Sequence, residues 1–205
     1  MESLVEPVAQ TALCIAEVDT GHADLGESEP MRPLPQLRHQ QLPVEVMTLT
    51  HAEILETRTL IWPDEAACAA HAAALAKRPS LRDAFIELRG ALGAGKTTFV
   101  RHLLRALGVP GRIKSPTYTV LEPYALPGLP VSHFDFYRFE DAREWEDAGF
   151  REVFAAPGLK LAEWPQKAEA LLPVPDLRVQ LEALDDTQRR VTLQALSPRG
   201  LELMR

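Results

Sequence analysis

Residues 90–97 read GALGAGKT, which matches the P-loop pattern G-x-x-x-x-G-K-[ST] and decides the fold of this chain. Glycines at positions 90, 93 and 95 allow backbone conformations that a Cβ atom opposes, so successive N–H groups can turn inward around phosphate oxygens. Lys96 adds a positive charge for the β- and γ-phosphates, and Thr97 offers a hydroxyl to Mg²⁺. The stretch therefore predicts a site for a nucleoside triphosphate.

The segments on either side of this loop have the character that a P-loop requires. Residues 84–88 (AFIEL) form a short apolar run typical of a buried strand. Residues 98–107 (TFVRHLLRAL) carry apolar side chains at helical spacing, and Gly108 ends the predicted helix. The positive end of the helix dipole then points at the phosphates. Strand, loop and helix together predict an α/β fold of the P-loop NTPase type, with a mostly parallel central sheet flanked by helices.

Other elements can be placed on both sides of this unit. Patterning predicts strands over residues 53–60, 129–134 and 159–162, helices over 64–77 and 141–148, and an extended segment over 114–124. Asp64 or the turn before it is the expected cap of the first helix, and Gly149 ends the second. The runs 177–184 and 190–196 predict a C-terminal antiparallel hairpin.

Charge is distributed unevenly along the 205 residues, whose net charge is −7. Residues 1–45 hold eight acidic and two basic side chains, whereas residues 46–205 hold 21 and 20. We interpret residues 1–45 as an acidic, proline-containing, mobile extension, with a small element over Val8–Val18 as the alternative, and residues 46–205 as the P-loop ATPase domain. No apolar run has transmembrane length, so we expect a cytoplasmic protein without a membrane partner.

The base of the nucleotide is indicated by a missing residue type. The chain contains no asparagine, which excludes the Asn-Lys-x-Asp element by which most regulatory GTPases bind guanine, so adenine is favoured. The acidic balance argues against binding nucleic acid by bulk charge. Basic residues at positions 101, 105, 112 and 114 form either a local basic patch or, as we favour, a solvated helix face.

Two acidic residues stand at the ends of predicted strands. Residues 131–135 end in Asp135, and residues 159–163 end in Glu163. Because ligands of open α/β sheets bind beyond the carboxyl ends of the strands, and bound Mg²⁺ needs a carboxylate nearby, both are candidate partners of the P-loop. The alternatives are an ion pair between Asp135 and Arg138, and a surface position for Glu163.

Four segments, taken in order, resemble the motifs of one known family. They are residues 92–98 (LGAGKTT), 115–119 (SPTYT), 133–138 (HFDFYR) and 163–165 (EWP). In these, and over about residues 56–200, the chain resembles the TsaE family of small bacterial P-loop ATPases, which serve the threonylcarbamoylation of adenosine 37 in tRNA. The resemblance implies ATP and Mg²⁺ as cofactors, TsaD and TsaB as protein partners, and tRNA reached indirectly through their complex.

The resemblance also implies roles for individual residues. Asp135 positions or deprotonates the attacking water while Lys96 serves the phosphates, and Thr97 and Glu163 hold the metal or its water. The implied ATP-binding residues are Glu65, Gly90, Gly93, Ala94, Gly95, Lys96, Thr97 and Thr98. A switch-like loop that senses the γ-phosphate comprises Ser115, Pro116, Thr117 and Thr119. His133 we interpret as a packing or hydrogen-bonding residue, the usual role of a strand histidine.

The chain departs from the family at Ala91, where an aspartate is usual, and this change could alter hydrolysis or docking but not abolish ATP binding. We expect an Mg-dependent ATPase that is slow alone, since no arginine finger is recognisable. Two alternatives remain: a P-loop kinase of a small metabolite or nucleoside, whose lid would have to use arginines at positions 138, 143 and 151, and a module that binds ATP only to fix its shape.

Overall fold

The computed structural model describes residues 53–205. The predicted extension over residues 1–45, with the small element that we weighed against it, lies outside the described residues. The division of the chain into extension and P-loop domain therefore stays a prediction. Within residues 53–205, no helix combines the length and the apolar character needed to cross a membrane.

A seven-stranded sheet in the order β1-β7-β6-β2-β5-β4-β3 organises the described part of the chain. Its strands are β1 (Glu56–Trp62), β2 (Phe85–Arg89), β3 (Leu121–Leu126), β4 (Leu129–Asp135), β5 (Leu159–Glu163), β6 (Leu177–Ala183) and β7 (Arg189–Ala195). Strands β6, β2, β5 and β4 are parallel, whereas β7, β1 and β3 join the edges antiparallel. The predicted α/β fold is confirmed, and β6 and β7 form the predicted hairpin.

Five α-helices accompany the sheet in residues 53–205. They are α1 (Glu65–Ala76), α2 (Lys96–Ala106), α3 (Ala142–Asp147), α4 (Phe150–Ala155) and α5 (Pro198–Leu203). Helix α1 begins at the predicted cap, because the Asp64 carboxylate accepts a hydrogen bond from the Ala67 N–H at 2.8 Å. Helix α2 follows the P-loop and buries the apolar face that its spacing predicts.

The two faces of the sheet carry different cores. Aliphatic side chains such as Ile86 and Leu161 pack with α1 and α2 in one cluster. On the other face, Phe134, Trp145 and Phe150 belong to an aromatic cluster to which α3 and α4 contribute. Because strand side chains alternate between faces, each central strand is anchored from both sides. This double burial fixes the carboxyl ends of β2, β5 and β4 next to one another, where the P-loop leaves the sheet.

Some boundaries differ from the predicted ones. The first strand begins at Glu56 rather than at residue 53. The extended segment predicted over residues 114–124 is wrong in its first half: the Val120 N–H bonds to the Pro116 carbonyl at 2.7 Å, closing a turn. Val120 itself has a φ of 61°, which a β-branched residue adopts only where neighbouring contacts hold it. A strand therefore starts only at Leu121.

Two short helices were not predicted. Gly149 ends α3 as expected, but with a φ of 65° it also stands immediately before α4. The start of α5 could have been recognised in the sequence from a capping serine followed by a proline. In the structure Ser197 accepts a hydrogen bond from the Gly200 N–H, and Pro198 occupies the first turn. Both helices are six residues long, too short for hydrophobic periodicity to show in the sequence.

Candidate functional site

The P-loop connects β2 to α2 and is built on glycines with positive φ. Gly90 has a φ of 142° and Gly95 a φ of 104°, conformations that disfavour any residue with a Cβ atom. At Gly90, a Cβ would also collide with the carbonyl oxygen of Leu181 in β6. The first glycine is thus required both by the turn and by its close approach to the neighbouring strand.

Lys96 is buried and its ammonium group points back into the loop. Its Nζ donates to two carbonyl oxygens of the loop, at 2.8 and 2.9 Å, and lies 3.9 Å from the ring centroid of Trp164. Burial lowers the pKa of Lys96, while the nearby carboxylates of Glu163 and Asp135 act in the opposite direction. Within residues 53–205 no carboxylate forms an ion pair with this ammonium, so its charge is available to an anion in the cleft.

Thr97 and Glu163 meet at the start of α2. The Thr97 hydroxyl donates to Oε2 of Glu163 at 2.7 Å, and Oε1 of the same carboxylate lies 2.9 Å from Nε2 of His133. Because the hydroxyl proton is directed at the carboxylate, the lone pairs of the Thr97 oxygen remain free for a cation. Hard oxygen donors of this kind are the ones that Mg²⁺ prefers.

Asp135 ends β4 beside Glu163, with which it is paired in the sheet register. Its Oδ2 accepts hydrogen bonds from the hydroxyls of Ser115 and Thr117 at 2.5 and 2.7 Å, and its Oδ1 accepts one from the Tyr137 N–H at 3.0 Å. The alternative of an ion pair with Arg138 is not formed in the described structure. The Arg138 guanidinium instead lies over the ring of Tyr118, 4.5 Å from its centroid.

Only two of the four residues predicted for the switch-like loop therefore reach the site. The hydroxyls of Ser115 and Thr117 both donate to Asp135, and their oxygens are 2.8 Å apart. Both line the cleft, whereas Pro116 and Thr119 do not. Pro116 serves the turn that ends at Val120.

These groups border a cleft of about 350 Å³ at the carboxyl ends of the parallel strands. It is lined by P-loop glycines and by the side chains of Lys96, Thr97, Ser115, Thr117, Asp135, Glu163 and Trp164. The side chains come from α2, the switch-like loop and the ends of β4 and β5. Glu163 was alternatively interpreted as a surface acid, but it is buried. The sheet thus brings together a buried cation, a hydroxyl and two carboxylates around one open space.

A second cleft, of about 260 Å³, adjoins the first at Gly93, Gly95 and Thr98, which line both. Glu65, from the start of α1, lines this second cleft and bonds to His102 at 2.9 Å. Ala94 lies in its wall. The predicted ATP-binding residues thus divide between the two adjoining spaces, except Gly90, which lines neither. The P-loop is the partition between them.

Sequence reasoning missed several residues of these clefts. Trp62 and Arg189 line the second one, and Nε of Arg189 donates to the Ala94 carbonyl at 3.1 Å, which ties β7 to the P-loop. No local motif marks either residue, because only the sheet order brings β1 and β7 to this place. Arg101 lines the first cleft, but its Nε is committed to the Ile113 carbonyl at 3.2 Å. Of the four basic residues considered in the sequence analysis, only Arg101 therefore faces the site, and Arg105, Arg112 and Lys114 are exposed.

Cys68 gives a test of the second cleft. Burial, helped by the charge of Glu65 and opposed by Arg189, raises the pKa of the Cys68 thiol to about 12. A raised pKa leaves less thiolate at pH 8, so alkylation by iodoacetamide should be roughly 10³-fold slower than for an unperturbed thiol. Peptide mass spectrometry of the Cys68 peptide, native against guanidinium-unfolded, measures this ratio. Equal rates in the two states would contradict the burial of this thiol.

Comparison with known proteins gives a consistent set of relatives. The model of the family described as "Threonylcarbamoyl adenosine biosynthesis protein TsaE" matches residues 62–191. The "tRNA threonylcarbamoyladenosine biosynthesis protein TsaE" of Haemophilus influenzae is 40% identical over 119 residues, which cover 58% of this chain and 75% of that protein. The Bacillus subtilis protein of the same name is 39% identical over 114 residues, covering 56% and 71%.

A solved structure agrees with these sequence matches. The crystal structure of YdiB from Bacillus subtilis superposes with a TM-score of 0.58 at 29% sequence identity, covering 74% of this chain and 94% of that one. Every candidate site residue named above lies inside residues 62–191, the region that the family model matches.

Proposed function

This chain belongs to the TsaE family of tRNA threonylcarbamoyladenosine biosynthesis, and from that membership we propose that it is the ATP-binding and ATP-hydrolysing subunit of the machinery. Its partners are the TsaD and TsaB proteins, it reaches tRNA indirectly through their complex, and it works in the cytoplasm. One observation carries the proposal: Lys96, Thr97, Asp135 and Glu163 line a single cleft beside the P-loop.

The nucleotide occupies the two adjoining clefts. The triphosphate lies in the first, where Lys96 and the N–H groups of the P-loop and of the first turn of α2 bind its oxygens. The nucleoside lies in the second, beside Trp62 and Glu65. The absence of asparagine from the chain continues to favour adenine over guanine.

The residues present fit a magnesium ion that is shared with the nucleotide. Thr97 and Glu163 offer hard oxygen atoms, which are 2.7 Å apart. Within residues 53–205 there is no group of three or more acidic, histidine or cysteine side chains that could hold a metal unaided. This agrees with Mg²⁺, which is commonly held by one or two protein groups together with substrate phosphates. Bound there, the ion would neutralise charge on the β- and γ-phosphates.

Asp135 is the residue we assign to the attacking water. It is the second carboxylate of the cleft, and Ser115 and Thr117 hold it in one orientation. A carboxylate fixed in this way can accept a proton from a water molecule or orient it. Because the same two hydroxyls belong to the switch-like loop, movement of that loop changes the surroundings of the carboxylate. We infer that loop position and hydrolysis are coupled.

A protein partner is supported by apolar side chains around the mouth of the cleft. Leu92, in the P-loop, is 76% exposed, and Tyr118, in the switch-like loop, is 82% exposed. Large apolar side chains at such exposure, close to a charged site, are typical of a protein-binding surface. A partner docked there would cover the cleft and exclude water from it. This would account for the slow turnover that we expect of the isolated subunit.

Reconstitution tests the proposal. The purified chain should bind ATP in preference to GTP, and its ATPase rate should rise when the TsaB–TsaD pair is added. The same mixture should form threonylcarbamoyladenosine on tRNA. Failure to bind ATP, or failure to support modification with active partners, would overturn the proposal. Family membership does not favour the alternative of a metabolite kinase, and labelled ATP with a metabolite pool should yield no phosphorylated product.

A further inference from the structure

His133 belongs to a chain of three side chains that runs from the inside of the sheet to the P-loop helix. The residue lies in β4 and is fully buried. Its Nε2 is 2.9 Å from Oε1 of Glu163, whose Oε2 accepts the hydrogen bond from Thr97 at 2.7 Å. We propose that His133 is a positioning residue, which holds the Glu163 carboxylate so that its outer oxygen faces Thr97 and the metal site. This rests on the proposed function of the cleft.

The partners of the imidazole show which way this hydrogen bond runs. Nδ1 of His133 is buried and has no hydrogen-bond partner in the described structure. A proton on Nδ1 would be a buried donor without an acceptor, which is more costly than a bare lone pair there. We therefore assign a ring proton to Nε2, which donates it to Glu163.

The sheet register explains why a histidine suits this position. In the parallel pairing of β4 with β5, His133 is opposite Leu161, and Glu163 is two residues further along β5. Residues offset by two lie on the same face, at a distance that only a long side chain can bridge. A glutamate has several rotatable bonds, and a donor at the far end of the imidazole removes that freedom before a ligand binds.

Two amide substitutions at position 133 test whether the side chain must be long enough to reach Glu163 or need only be polar. In His133→Gln the amide nitrogen stands near the position of Nε2, whereas in His133→Asn it stands near Nδ1 and falls short of Glu163. Binding of a fluorescent ATP analogue would be titrated with Mg²⁺ and, separately, in EDTA. We expect His133→Asn to weaken the Mg²⁺-dependent part of binding 10- to 100-fold, which is the usual effect of removing the partner of a metal ligand. Binding in EDTA should stay within about threefold of wild type. His133→Gln should stay within about threefold of wild type in both.

The controls make each outcome decisive. Phe134→Leu alters the aromatic cluster on the opposite face of the sheet, and so gives the effect of lost packing in the same strand. Equal losses with and without Mg²⁺ in His133→Asn, or a matching loss in Phe134→Leu, would overturn the positioning role. Wild-type binding without any Mg²⁺ dependence would instead overturn the proposed function.

The unmodified protein offers an independent measurement, which does not depend on a variant that folds. Nitrogen-15 chemical shifts of the His133 ring report which nitrogen carries the proton. We expect a proton on Nε2. A ring whose Nε2 carries no proton would overturn the inference.

Discussion

Asp135→Asn should bind ATP almost as tightly as the wild-type protein and hydrolyse it about 10²- to 10⁴-fold more slowly, the usual contribution of a positioned general base. The asparagine side chain has the same shape as aspartate. Its amide can still bond to Ser115 and Thr117, because hydroxyls donate or accept equally well. What the substitution removes is the negative charge and the ability to take a proton from water. Steady-state phosphate release in the presence of TsaB and TsaD, together with equilibrium binding of a fluorescent ATP analogue, measures both quantities.

Ser115→Ala is the matched control for this prediction. It deletes one of the two hydroxyls on the same carboxylate oxygen but leaves the charge of Asp135 in place. We therefore expect a loss of hydrolysis of about tenfold or less, since Asp135 keeps its charge and Thr117 remains bonded to the same oxygen. If Asp135→Asn hydrolysed ATP as fast as Ser115→Ala, Asp135 would be only an anchor for the switch-like loop.

The difference between what could and could not be predicted from the sequence follows from the range of the interactions. The P-loop is local: its glycines, lysine and threonine stand within eight residues and need only the strand before and the helix after. The two acidic residues are far apart in sequence, yet a general rule relates them, because parallel strands bring their carboxyl ends to one edge. The structure places Asp135 and Glu163 opposite each other in neighbouring strands, as that rule leads one to expect.

Other residues of the clefts depend on register and strand order, which no local pattern contains. His133 reaches Glu163 because β4 pairs with β5 at one register, and a shift by one residue would turn its ring to the other face. Arg189 reaches the P-loop because β7 is placed beyond β6 by an antiparallel hairpin. The hairpin was predicted, but its position relative to the P-loop was not. The prediction of an extended segment over residues 114–124 was wrong in its first half, because Val120 adopts a backbone conformation that its β-branched side chain disfavours.

Lys96→Met should weaken ATP binding about 10²- to 10⁴-fold and abolish tRNA modification at cellular ATP concentrations. The estimate takes two hydrogen bonds from the ammonium to phosphate oxygens, each contributing about 1.5–3 kcal/mol because both partners are charged. Methionine keeps an unbranched apolar side chain of similar length, but it loses the ammonium that lies over the ring of Trp164. The substitution also removes the hydrogen bonds from Nζ to two loop carbonyls, so the thermal midpoint should fall. The fall should be limited, because methionine does not carry the buried charge whose burial lowers the pKa of Lys96.

Lys160→Met provides the control for removing a buried lysine from this protein. Lys160 is buried near the start of β5, at the opposite end of the strand from Glu163, and burial lowers its pKa as well. Its ammonium donates to the carbonyl of Ala156, at the end of α4, and has no contact with the P-loop clefts. Isothermal titration with ATP and Mg²⁺ measures the affinity of both variants. The affinity of Lys160→Met should stay within about threefold of wild type, a much smaller change than the one expected for Lys96→Met, which loses charge-assisted hydrogen bonds to the phosphates. Equal losses in the two variants would mean that the effect is one of stability. Retention of wild-type affinity in Lys96→Met would mean that the loop N–H groups and the helix dipole of α2 hold the phosphates without the lysine.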